Sequence, residues 1–280
     1  MLLFAISVLP VIGLLLLIYK LDKNKEPFNL LIKIFLLGAL TIIPAVILEL
    51  IVSVFLPSED VDSFQLFLSV FIGVALIEEF VKWFIVKQLT YSNQEFDETY
   101  DALVYSAYSS LGFACLENIL YVFQNGFGTG VLRALTAVPG HCCFGIIMGY
   151  CLANAKLNHV NGNKRYIRYL IYSMLFPVIA HTFYDYFLFL GDLPLWIISY
   201  IIILVVSIIL VVKSAKRNYY FNNNRETTYI EVPQTSGIYE YKAQGYNYNQ
   251  NMIRPRFCYH CGSELIPNAQ YCAGCGCKIE

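Results

Sequence analysis

The chain has 280 residues, of which 58% are hydrophobic and only 14% charged, with a formal net charge of −1. Soluble globular domains carry about 25% charged residues, so this composition excludes a water-soluble fold and places the chain among polytopic membrane proteins. The near-zero net charge also gives no broad electrostatic attraction to nucleic acid.

Seven apolar stretches, at residues 2–19, 30–56, 64–86, 102–123, 131–154, 169–190 and 195–212, each approach the roughly 20 residues a helix needs to cross a bilayer. The first has no basic residue ahead of it and no small-residue cleavage pattern. Lys20, Lys23 and Lys25 follow it, which predicts a retained anchor with its amino terminus outside. In the second, Glu49 lies near the outer end, where interfacial solvation accounts for it. The third contains Glu78, Glu79 and Lys82. On insertion scales about fifteen apolar residues there supply about 6 kcal/mol, against about 9 kcal/mol for three charges, so that helix is expected to face protein rather than lipid. Asp97 and Asp101 read as loop acids ahead of the fourth span.

The fourth span carries Glu117 and Asn118, the fifth His141, and the sixth His181 with Asp185. A Gly-rich turn beside Arg133 joins the fourth to the fifth. Basic residues alternate from loop to loop, at Lys20, Lys23, Lys25 and Lys33, at Lys87, at Lys156, Lys164, Arg165 and Arg168, and at Lys213, Lys216 and Arg217. The positive-inside rule then predicts an amino terminus outside, about seven transmembrane helices and a cytoplasmic carboxyl terminus.

Beyond the last span, residues 214–256 form an Asn-, Tyr- and Gln-rich run with no sustained apolar period, read as a flexible linker. Residues 257–280 then place Cys258 and Cys261 in one C-x-x-C knuckle, and Cys272 and Cys275 in a second, ten residues on. Two such knuckles hold four thiolates in the tetrahedral set that zinc takes, and a segment this short needs a staple to fold. A cytoplasmic location keeps thiols reduced and favours zinc over disulfides. The closed set implies a structural ribbon, with a cytoplasmic protein as its partner. His260 and Cys277 are read as bystanders, and Cys115, Cys142, Cys143 and Cys151 as small apolar packing residues.

Charged groups within spans are functional hypotheses by default, because each costs about 2.5–3.5 kcal/mol at mid-membrane. Lys82 is four residues from Glu78 and three from Glu79, so it can neutralise either, while the two acids diverge by about 100° and at most one readily faces a common centre. Phe113 with Glu117, His141 with Gly145, and His181 with Asp185 are each four apart and share a helical face. The glycine permits close approach, and the aspartate is placed to orient the imidazole. From the helical rise, Glu79, Glu117, His141 and His181 all fall in the central part of the membrane.

In order along the chain, E-E-x-x-K at Glu78, Glu79 and Lys82, F-x-x-x-E-N at Phe113, Glu117 and Asn118, H-x-x-x-G at His141 and Gly145, and H-x-x-x-D at His181 and Asp185 resemble the PrsW family of intramembrane proteases. That family is related to the CAAX-processing and bacteriocin-processing membrane endopeptidases. In the wider superfamily the second motif usually ends in His, where this chain has Glu117. The resemblance covers roughly residues 64–190 and implies an all-α membrane protease in a prokaryotic cell membrane; with the apolar spans around it, the transmembrane protease domain is read as residues 1–213, followed by the linker and the zinc ribbon. It implies an endopeptidase that cuts a membrane-protein substrate within or beside the lipid bilayer, by family analogy an anti-sigma factor in stress signalling.

The expected roles are Glu78 or Glu79 as general base on a water, with Glu117, His141 and His181 positioning that water or a divalent metal. His181 and Asn118 would stabilise the oxyanion and Asp185 would orient His181. Midplane acids and histidines also mark proton-coupled transporters, but the duplicated halves of such folds are not seen here. A membrane scaffold acting only through its ribbon is the third reading.

Overall fold

The computed structural model describes residues 1–56, 62–221 and 227–229. The ribbon cysteines Cys258, Cys261, Cys272 and Cys275, and most of the expected linker, lie outside the described residues. Among those residues are ten α-helices: α1 (Leu2–Leu21), α2 (Phe28–Leu40), α3 (Ile42–Ser53), α4 (Ser63–Val70), α5 (Leu76–Thr90), α6 (Asp101–Asn125), α7 (Phe127–Leu135), α8 (Ala137–Val160), α9 (Tyr166–Leu190) and α10 (Leu193–Lys216). The only described strands are β1 (Tyr219–Phe221) and β2 (Thr227–Tyr229), which pair with each other.

Among the described residues, six segments are long and apolar enough to cross a membrane: Leu2–Leu21, Phe28–Ser53, Ser63–Thr90, Phe127–Val160, Tyr166–Leu190 and Leu193–Lys216. The expected fourth span is α6, which is absent from that set because it is too polar. Its 25 residues rise about 37 Å, enough to span. It packs against α1, α2, α5 and α8, and nearly all of residues 101–114 are buried. Protein surrounds this helix, so it has no need of an apolar surface. Large apolar side chains of α1, α2, α3 and α10 are instead exposed, as lipid-facing surfaces require.

Three expected spans are not single regular helices. The second is interrupted at Thr41, because Pro44 has no N–H to give the Leu40 carbonyl. The fifth breaks at Thr136 into α7 and α8, since Pro139 likewise cannot bond the Leu135 carbonyl, which accepts from the Tyr200 hydroxyl at 2.7 Å. The third has a capping box at its start, where Asp62 and Gln65 bond each other's backbone. It then widens into a π-helical turn, Phe71–Ala75, immediately before the residues carrying Glu78 and Glu79. Such turns shift the phase of the residues that follow and often occur at functional sites.

Glycines set the closest crossings. A Cβ on Gly112 of α6 would strike the Phe35 carbonyl of α2, and one on Gly145 of α8 would lie 2.7 Å from the Ser106 carbonyl of α6. The close approach expected of Gly145 is therefore met, and it brings His141, one turn away, against α6.

At the end of the bundle that includes the α1–α2 connection, acids gather. Asp101 is fully buried, not a loop acid, and its Oδ2 accepts the backbone N–H groups of Asp97 and Glu98 at 3.0 and 2.8 Å. Tyr105 donates its hydroxyl to Glu26. Burial pushes the Glu26 carboxyl up to about 7. Residues 218–221, where the linker was expected to have begun, pack onto the same end. The Asn218 side-chain oxygen accepts from Thr99 Oγ1 and the Tyr100 N–H, each at 3.0 Å, and Tyr220 pairs with Glu98.

Candidate active site in the membrane

Helix α5 supplies the centre of the site. Lys82 Nζ donates to Glu78 Oε2 at 3.0 Å and to Glu79 Oε1 at 2.8 Å, and stands 3.2 Å from His141 Nδ1. The Phe113 ring lies 3.9 Å from the ammonium and closes its other side. Lys82 and Glu79 are fully buried and Glu78 nearly so. The two acids were expected to diverge, yet both turn towards the lysine. Their backbone positions do differ by about 100°, but three side-chain torsions on each glutamate let the carboxylates reconverge.

The two histidines are fixed from opposite sides. On α8, His141 Nε2 meets Glu117 Oε2 of α6 at 2.9 Å, and Nδ1 meets Lys82. An ammonium only donates, so Nδ1 accepts and Nε2 carries the hydrogen given to Glu117. On α9, His181 Nδ1 is 3.1 Å from Glu79 Oε1, and Nε2 is 3.1 Å from Asp185 Oδ2 one turn along the same helix. The Asp185 contact is the orientation that the H-x-x-x-D spacing predicts. Phe144 stacks on His181 with ring centroids 4.7 Å apart, and the two imidazoles lie 5.3 Å apart, edge to face. Pro177, four residues before His181, frees the Ser173 carbonyl, and Trp83 of α5 donates to the Ser173 hydroxyl at 2.8 Å, tying α9 to α5.

Seven of the expected residues thus form one network: Glu78, Glu79, Lys82, Glu117, His141, His181 and Asp185. Asn118 is adjacent but turned away. Its Nδ2 donates to the Ser7 carbonyl of α1 at 2.9 Å, and its Oδ1 accepts from Arg133 Nε at 3.1 Å, so the amide is engaged with the scaffold. One residue outside the motifs joins the site: Arg133 of α7 donates to Glu117 Oε2 at 2.6 Å. It left a trace in the sequence, as a basic residue on an otherwise uncharged turn.

The donor set fits a divalent cation. Glu78, His141 and His181, all buried, can each present a ligand atom within 4.8 Å of the others. Imidazole and carboxylate are the ligands of catalytic zinc sites. Beside them Glu79 Oε2 is buried without a hydrogen-bond partner, which marks a place for a water or an ion. The cysteines within the helices take no part: Cys115, Cys142, Cys143 and Cys151 are free thiols.

The sequence profile of the PrsW family of intramembrane metalloproteases matches residues 26–212. A protein described as Protease PrsW from Oceanobacillus iheyensis is 40% identical over 182 residues, 65% of this chain and 80% of that protein. Proteins of the same description from Geobacillus kaustophilus and Bacillus subtilis are 40% and 35% identical over 187 and 183 residues, covering 79% and 80% of their lengths and 66% and 65% of this chain. No solved structure matches the chain.

Proposed function

The chain belongs to the PrsW family of intramembrane metalloproteases, and on that premise we propose that the buried network joining α5, α6, α8 and α9 is where it cuts a membrane-protein substrate. The protein is an integral membrane protease of a bacterial membrane. One observation carries the site assignment: seven ionisable groups from four helices meet in a single hydrogen-bonded cluster inside the helical bundle, where isolated charges are too costly to keep without use.

In this reading Glu78, His141 and His181 would hold the metal, with the Lys82 ammonium giving up its hydrogen bonds to Glu78 and His141. When bound, the ion would polarise the scissile carbonyl and lower the pKa of the attacking water. Glu79 is the general base, because its Oε2, buried beside those ligands, has no hydrogen-bond partner among the described residues. Water attacks the carbonyl carbon while its proton passes to Glu79. The C–N bond then breaks, and Glu79 returns the proton to the departing amine. Lys82 holds Glu79 through Oε1 and keeps Oε2 free to work. Asp185 holds the His181 ring in place through Nε2.

Glu79→Gln, Glu117→Gln, His141→Ala and His181→Ala should each lower cleavage of a single-span substrate at least about a hundredfold, with normal membrane insertion. Near wild-type proteolysis by all four would refute the site. For the metal, a full-length variant with Cys258, Cys261, Cys272 and Cys275 changed to Ser separates the two proposed sites. It should retain about one bound divalent ion per chain and lose it on His141→Ala, as elemental analysis would report. An active variant with no bound ion would refute the metal role.

The finer readings belong to the same proposal. An anti-sigma factor is the proposed substrate, the four tail cysteines are proposed to hold structural zinc, and the ribbon is proposed to bind a cytoplasmic protein.

A further inference from the structure

Arg133 departs from the ordinary behaviour of an arginine near the end of a short amphipathic helix, which is to extend its guanidinium to water. It turns inward. Nη2 donates to Glu117 Oε2 at 2.6 Å, and Nε donates to Asn118 Oδ1 at 3.1 Å, so one guanidinium forks onto adjacent residues of α6. Its carbon lies 4.1 Å above the ring of Tyr121, one turn beyond Glu117. Asn118 passes the connection on to Ser7 of α1, so α1, α6 and α7 are tied at this point. The Arg133 and Glu117 side chains are each only 15% exposed, which makes this a largely desolvated pair rather than a surface one.

The same Glu117 oxygen that accepts from Arg133 also meets His141 Nε2 at 2.9 Å. A carboxylate held from one direction only could swing about its torsions. Held by the fork, it offers that oxygen to α8 in one orientation. The His141 ring is then set with its Nδ1 lone pair towards Lys82 and the centre of the site.

We propose that Arg133 is a positioning residue for the proteolytic site, which orients Glu117 and through it the His141 ring. The inference rests on the assignment of Glu117 and His141 to that site. Arginine is the residue the geometry calls for, because lysine offers a point charge that reaches Glu117 without the second branch to Asn118.

The test is a set of full-length variants in liposomes with a single-span membrane protein that the wild type cleaves. Arg133→Gln should lower kcat about 10- to 100-fold with KM changed less than about threefold, and Arg133→Lys should recover part of that loss. The Arg133→Gln/Glu117→Gln double variant should fall within about threefold of Glu117→Gln alone, because residues acting through one another are not additive. A readout apart from activity is zinc affinity in the background with the four tail cysteines changed to Ser, which should weaken in Arg133→Gln and recover in part in Arg133→Lys. Wild-type kcat in Arg133→Gln, or multiplicative losses in the double variant, would overturn the proposal. If Arg133→Gln fails to accumulate, Arg133→Lys with Glu117→Gln gives the same cycle, and multiplicative losses there overturn it equally. Full activity of Glu117→Gln would instead sink the site assignment beneath it.

Discussion

Replacing Lys82 with Met keeps the stem volume and removes the charge, and so isolates what the ammonium does. The side chain is fully buried, with Glu78 Oε2 at 3.0 Å and Glu79 Oε1 at 2.8 Å. Removing one partner of a buried ion pair costs about 3–5 kcal/mol, because the charge left behind is uncompensated. Two carboxylates lose their cation here, but His181 Nδ1, 3.1 Å from Glu79 Oε1, still serves one of them. The expected loss is therefore at the upper end of that range, about 4–5 kcal/mol, and not its double. For a body of this size that lowers the unfolding midpoint by about 8–20 °C. Adding Glu78→Gln removes the carboxylate left stranded and should restore about 2 kcal/mol, since deleting both partners costs less than deleting one. Circular dichroism melts in detergent give the midpoints, and cleavage assays should find both variants inactive. The reasoning fails if Lys82→Met melts with the wild type, or if the double variant is less stable than Lys82→Met alone.

Glu26 predicts a pH dependence away from the site. Its carboxyl is raised by burial from 4.5 to about 7, so the folded protein holds a proton that the unfolded chain gives up. The stability from that proton is full below about 4.5 and lost as pH rises through about 7, and Glu26→Gln should flatten the fall in melting temperature between pH 5 and pH 8; a wild-type melting temperature that rises across this window would contradict the assignment. Gly149→Val should cost about 1–3 kcal/mol or block folding, because a side chain there meets the Ala102 carbonyl and the Leu103 backbone of α6; a melt unchanged from wild type would show that α6 and α8 are not in such close contact. The alternating loop charges predict that a reporter fused after Val212 reads as cytoplasmic and one in the loop around Ser58 as external, and the reverse result at both sites would invert the proposed orientation.

Hydropathy located the outer helices because lipid imposes a uniform demand on them. The ends of α1, α9 and α10 therefore fall close to the apolar runs at 2–19, 169–190 and 195–212. The same signal is blind to what happens inside a run. Pro44 and Pro139 were visible, yet an average over twenty residues does not record that each leaves a carbonyl of the preceding turn unbonded. The π-helical turn at 71–75 has no residue signature of that kind. Residues 218–221 are polar and aromatic, like the tail beyond them, and what separates them is a tertiary partner, the 97–100 segment that they hydrogen-bond.

The site was legible where function is written as spacing along one helix. Lys82 three and four residues from its acids, and Asp185 four from His181, meet as the helical period requires. Spacing does not say where a long side chain ends. Glu78 and Glu79 start on different faces and finish on one lysine, and Asn118, next to a site residue, points to α1 instead. Arg133 is the clearest case. In the sequence it is one basic residue on a glycine-rich turn, and the bland reading is that water solvates it. Its inward turn is favourable only because Glu117, Asn118 and the Tyr121 ring, all on α6, stand ready to replace that water. The break at Thr136 sets α7 apart from α8 and lets Arg133 and His141 approach Glu117 from different helices. A continuous helix across residues 127–160 would fix Arg133 and His141 about 12 Å apart along one axis, so the chain break is part of how the two meet Glu117 from different directions.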